Sequence, residues 1–174
     1  MPNYSYSTIA RIGDLVNGIR VDTSVLLGIT YMKQTQIELF NVFGRIKVHN
    51  LFGEVTVVIS ATATQLLFNY TSSTPVIAVQ PMSAACSTMT GLAVGERAQW
   101  VGGAVATNVV LTATPGISDI NVTPQIIGGV QADGTGMVGT IGELTSGASM
   151  TSGSMRFSIF YTPMSDGAYV TAVL

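Results

Sequence analysis

The chain has 174 residues, of which only 9% are charged, against about 25% in an average soluble domain, while 47% are hydrophobic and the mean hydropathy is +0.48. That length suits one compact domain with an arm and gives it a sizeable core. Net charge is −2 with a pI near 5.1, and the seven basic residues, Arg11, Arg20, Lys33, Arg45, Lys47, Arg97 and Arg156, are scattered along the chain. Such spacing offers no basic stripe to a row of phosphates, so direct nucleic-acid binding is disfavoured.

The opening Met1-Pro2-Asn3-Tyr4-Ser5 has neither a basic nor an apolar leader region, so synthesis and retention in a cytoplasm are expected. Residues 1–20 read as an N-terminal arm or short helix: behind Ser7 or Thr8 as N-cap, Ile9, Ile12, Leu15 or Val16, and Ile19 recur at three-to-four spacing. From Val21 to Leu174 the chain reads as a single domain. Gly, Pro, Asn and Asp interrupt it at short intervals, and the segments between them are rich in Val, Ile, Thr, Phe and Tyr.

The expected strands are Ser24 to Met32, Gln34 to Phe43, Arg45 to Leu51, Glu54 to Thr62, Gln65 to Tyr70, Thr74 to Gln80, Asn108 to Thr114, Ser154 to Thr162 and Ala168 to Val173. A hairpin turn is expected at Leu51-Phe52-Gly53, with Glu54 pairing across it to Arg45 or Lys47. Val55, Thr56, Val57, Val58 and Ile59 are apolar on both faces, as a strand inside a sandwich or at a subunit contact requires. The Gly-rich stretch from Gly128 to Gly153 reads as loops around short strands. The fold class is therefore all-β, an antiparallel β-sandwich with jelly-roll or Greek-key connections.

The uncharged run from Val55 to Gly95 is broken by Thr62, Thr64, Gln65, Asn69, Pro75, Gln80 and Pro81, so no membrane-spanning helix is expected. Cys86 is alone and cannot form an intramolecular disulfide. Thr and Ser number 36, so the polar surface is built of hydroxyls, which bury against a partner without the desolvation cost of charge. An oligomer, or a subunit docked on a large assembly, is expected.

The residues point away from catalysis. His49, the single histidine, shares an alternating run with Arg45 and Lys47 and lacks a convincing nucleophile partner. One Cys and one His cannot close a zinc site, and Asp133-Gly134-Thr135-Gly136 suits a tight turn better than a calcium loop, so neither metal nor cofactor is expected. Glu54, Glu38 and Glu96 are the carboxylates a glycosidase would use, and Trp100 is the one tryptophan that could stack on a sugar. Gly134-Thr135-Gly136 lacks the later glycine of a dinucleotide loop.

Three segments resemble a family of small bacteriophage capsid decoration, or cement-like, virion proteins. They are Gln36-Ile37-Glu38-Leu39-Phe40-Asn41-Val42-Phe43-Gly44-Arg45-Ile46-Lys47-Val48, then Leu51-Phe52-Gly53-Glu54-Val55-Thr56, and Phe157-Ser158-Ile159-Phe160-Tyr161-Thr162-Pro163-Met164-Ser165-Asp166-Gly167-Ala168. The resemblance covers about a third of the chain, and the middle, from about Thr71 to Ser152, has no counterpart. It implies a β-rich homotrimer on the virion surface that binds the major capsid protein of the assembled head, with no enzymatic activity. Two other functions are open at this level: a tail or spike head that recognises host carbohydrate through the Gly-rich loops and Trp100, and a glycan-cleaving enzyme using Glu54 or Glu96.

Overall fold

A computed structural model describes residues 18–28, 35–59, 63–73, 75–103, 106–112, 122–129 and 137–174. The expected arm or helix therefore lies outside the described residues up to position 17. Among the described residues there are eleven strands: β1 (Ile19–Leu27), β2 (Gln36–Phe43), β3 (Arg45–Val57), β4 (Thr64–Ser72), β5 (Gln80–Pro81), β6 (Arg97–Trp100), β7 (Val110–Thr112), β8 (Gln125–Gly128), β9 (Met137–Gly147), β10 (Ser154–Pro163) and β11 (Tyr169–Ala172).

They form two antiparallel sheets packed as a β-sandwich. One has the order β1-β10-β3-β6-β7, with β8 also pairing β3; the other has the order β11-β2-β9-β4-β5. The logic of the order emerges when the chain is folded in half between β4 and β5. That brings together β1 with β10, β2 with β9, β3 with β6 and β4 with β5, and each of these pairs is an antiparallel ladder. Rolling this four-level hairpin closes it through β3 with β10 and β4 with β9. The result is a jelly roll, with β7, β8 and β11 as additions.

The chain changes sheets between β2 and β3 through the single residue Gly44, at φ +71°, where a side chain would meet Ser165 Oγ and Ala168. Leu39, Phe40 and Val42 on one side and Ile46, Val48, Leu51 and Val55 on the other then point into the common core. Phe68 and Phe157 meet edge to face across the sandwich, centroids 6.1 Å apart at 88°. The rim is tied as well: Val170 N–H donates to Tyr161 Oη at 3.1 Å, joining β11 to β10 across the two sheets.

Several expected elements are corrected. No hairpin turns at Leu51-Phe52-Gly53: β3 runs unbroken for 13 residues through it. Gly53 faces inward, and a Cβ there would come within 2.7 Å of the Phe157 ring and 2.8 Å of Met155, so its role is close packing rather than turning. The Gly-rich stretch contains β9, the central strand of the five-stranded sheet, flanked by β2 and β4. Here too glycine makes room: a Cβ at Gly142 would sit 2.7 Å from Ile37 O and 2.8 Å from Asn69 Oδ1, and one at Gly139 would strike the Tyr70 hydroxyl.

The first strand begins at Ile19 rather than Ser24, because pairing with β10 takes Ile19 and Val21 into the sandwich, overriding the helical spacing that claimed Ile19. Only Gln80 survives from the strand expected at Thr74 to Gln80. Residues 75–81 are exposed, Val76 by 87%. The short strands β6 and β8 had no sequence signal of their own; they exist as partners for the two halves of β3.

Candidate interaction surface

Alternation along β3 places Ile46, Val48, Leu51 and Val55 inside, so Arg45, Lys47, Asn50, Phe52 and Glu54 face out, with an irregularity in the ladder near His49. On β10, β6 and β1 the same argument turns out Arg156, Ser158, Phe160 and Thr162, then Arg97 and Gln99, then Arg20 and Asp22. All five basic residues among the described ones therefore lie on the outer face of a single sheet. Residues scattered over 137 positions of sequence become neighbours because four strands, most of them distant in the chain, pair side by side.

The registers arrange this face in rows. One row reads Asp22, Ser158, Phe52, Gln99, Val110; the next reads Val25, Arg156, Glu54, Arg97, Thr112. The Arg97 guanidinium lies 4.7 Å from the centre of the Phe52 ring, and its Nη2 is 2.7 Å from Glu54 Oε2. Arg20 mirrors it, with its guanidinium 5.6 Å from the Phe160 ring and Nε 2.8 Å from Asp22 Oδ1. The two rings stack on each other, centroids 6.3 Å apart.

The ladder Arg20, Phe160, Phe52, Arg97 thus crosses four strands and is closed at each end by a carboxylate. Burial acts to raise the Asp22 pKa, but hydrogen bonds from Ser158 Oγ, at 2.6 Å, and from Arg20 outweigh it and hold the carboxyl below its ordinary value. Beside the ladder, Gln99 Nε2 donates to Asn50 Oδ1 at 3.1 Å, and Phe52, Gln99 and Ser158 are buried. Five cations against two carboxylates give the described residues of this face a net +3, in a chain whose formal net charge is −2.

The residues singled out for chemistry are occupied with structure. His49 Nε2 lies 2.7 Å from Thr162 Oγ1; burial, and then the charge of Lys47, push its imidazole below the usual histidine value. Glu54 pairs with Arg97, not with Arg45 or Lys47. Glu96 Oε2 accepts from Ala93 N–H at 2.7 Å and braces its own loop. Glu38, which accepts from Thr140 Oγ1 at 3.4 Å, stands on the outer face of the opposite sheet, so Glu38 and Glu54 do not converge.

Trp100 points inward, is fully buried, and donates Nε1–H to Met82 O at 3.0 Å. It offers no platform to a sugar. Cys86 is buried, its thiol pushed up by that burial, and its Sγ accepts from Leu66 N–H at 3.1 Å. Asp133 lies outside the described residues, and among the described ones no three His, Cys, Asp or Glu side chains group as a metal site. A cavity of about 280 Å³ near the ends of β4 and β8 is lined by Tyr70, Ser72, Pro75, Ile77 and Gln80, with no charged side chain.

Sequence reasoning missed Glu143. On β9 it stands opposite Phe68 and Ile37, fully buried, with neither carboxyl oxygen hydrogen-bonded, and burial pushes its pKa up to about 8. Its segment read as a Gly-rich loop, where a carboxylate belongs in water. No protein-family model matches the chain, and no curated protein or solved structure matches it.

Proposed function

We propose that the protein is a structural virion component, a decoration (cement) protein that binds the assembled head of a bacteriophage as a homotrimer and stabilises contacts between major capsid subunits. The observation that carries this reading is the outer face of the six-stranded sheet, where aromatic rings and guanidinium groups hold one another in place before any partner arrives. Preorganisation of that kind lowers the entropy lost on docking. The jelly roll is a scaffold used by viral capsid and lectin domains, and it supports the reading without assigning the function by itself.

The hydroxyl-rich, weakly charged composition fits a subunit that covers much of its surface with neighbours. Trp100 is in the core and cannot stack on a sugar, which disfavours carbohydrate recognition through it. A ligand that binds only the assembled shell stabilises it by mass action, by about 2.7 kcal/mol per site at a concentration a hundredfold above Kd. The test is calorimetry of heads lacking the protein, with and without the purified chain. A raised melting temperature and a discrete trimer by light scattering are expected; bound protein that leaves the melting temperature unchanged overturns the decoration role.

A further inference from the structure

Accepting the docking function just proposed, we infer that the outer face of the six-stranded sheet takes a carboxylate-bearing protein surface, gripped by Arg45 and Lys47 at one end of β3 and by Arg156 at the level of its other end. The five cations are not equivalent. Arg20 and Arg97 are held within the face, each by a carboxylate and a ring. Arg45, Lys47 and Arg156 have no ion-pair partner among the described residues. Arg45 and Arg156 are exposed and Lys47 is half-buried.

Arg156 stands opposite Glu54 in the ladder, nine residues along β3 from Arg45, which separates the two free cationic ends by about 30 Å. Between them lie Phe160 and Asn50, half-buried and braced from beneath by the buried Phe52 ring and Gln99 amide. An aromatic and amide centre with charge at its rim, about 30 Å across, is the anatomy and the width of a standard protein–protein footprint of about 800 Å² per partner. A polyanion such as DNA, with a phosphate every few ångströms, would leave that centre unmatched and meet few free cations. With a net +3 among the described residues of this face in a chain whose formal net charge is −2, an acidic partner is also steered to this side.

The experiment measures association of the wild-type chain and of two charge reversals, R45E/K47E and R156E, with immobilised heads lacking the protein. Immobilised succinylated albumin is the second probe, at about 50 and about 300 mM NaCl. Arg45 and Arg156 are exposed and Lys47 is half-buried, so melting temperatures near wild type are expected and confirm folding. Each reversal should slow association with both probes by roughly tenfold at low salt, the gap should shrink at high salt, and R156K should retain wild-type binding. Reversed variants that associate like wild type overturn the inference while the decoration role stands. Wild type that ignores heads yet binds succinylated albumin in a reversal-sensitive way supports the inference and overturns the decoration role. Reversal-sensitive binding to duplex DNA, with none to either protein probe, overturns it in favour of a nucleic acid.

Discussion

The two outer faces of the sandwich are built on the same architecture and finished with opposite chemistry. The six-stranded sheet presents five cations, of which Arg20 and Arg97 are held with two carboxylates and two rings in a self-supporting ladder. On the outer face of the five-stranded sheet Glu38 is the described charged side chain, and the contacts are amide to hydroxyl, as in Gln36 Nε2 to Thr71 Oγ1 at 3.0 Å and Ser146 Oγ to Gln65 Oε1 at 3.3 Å. Phe43 and Tyr169 add a parallel ring stack at its edge, centroids 4.3 Å apart. In a chain with so few charges, gathering the described cations on one outer face sets the two faces apart electrostatically: one carries charge that could steer a partner, the other could be covered with little desolvation of ions.

The largest test of this contrast removes what both faces stand on. Phe157→Ala should take out the edge-to-face contact with Phe68 and destabilise the fold by about 3–5 kcal/mol, read as a lower denaturant midpoint, with both faces lost in one transition. A loss well under 1 kcal/mol would mean the sheets are joined elsewhere.

The next effect belongs to the five-stranded side alone. Glu143 loses its proton near its ordinary value in the unfolded chain but only at about 8 in the folded one. Between those values the unfolded state binds fewer protons, so stability is fully present below about 4.5 and falls as pH rises through about 8, by something on the order of 4 kcal/mol. Glu143→Gln should flatten that slope, which urea midpoints at pH 5 and pH 9 would reveal. Parallel slopes in the variant and the wild type would remove Glu143 as the cause.

The smallest effect concerns the charged face. Glu54→Gln breaks the ion pair with Arg97, but that pair is partly solvated, so a loss of no more than about 1 kcal/mol is expected, diminishing with salt. A larger, salt-independent loss would show that the Arg97 stack on Phe52 collapses with it. The ladder would then be one cooperative unit rather than a set of pairs.

Much of this was legible in the residues. Alternation around Gln36 to Phe43 and Ser154 to Thr162 placed β2 and β10 within two residues of their ends, and the β-rich composition pointed to a two-sheet sandwich. Glycine misled the reading twice, at Gly53 and along Gly139 and Gly142, because the same residue serves a turn and a close approach of two backbones. Which of the two it serves depends on a neighbour dozens of positions away, Phe157 in one case and Tyr70 or Asn69 in the other.

Composition and periodicity by themselves determined that the chain forms short strands with apolar faces and a hydroxyl-rich, weakly charged surface, since those properties follow from side-chain chemistry and local alternation. Only the tertiary structure decided that Arg20, Arg45, Lys47, Arg97 and Arg156 share one face, that Trp100 is core, and that Glu143 is sealed from water. These are consequences of which strands pair and in what register. Rolling the chain at its midpoint joins residues more than a hundred positions apart, and no local pattern records that pairing.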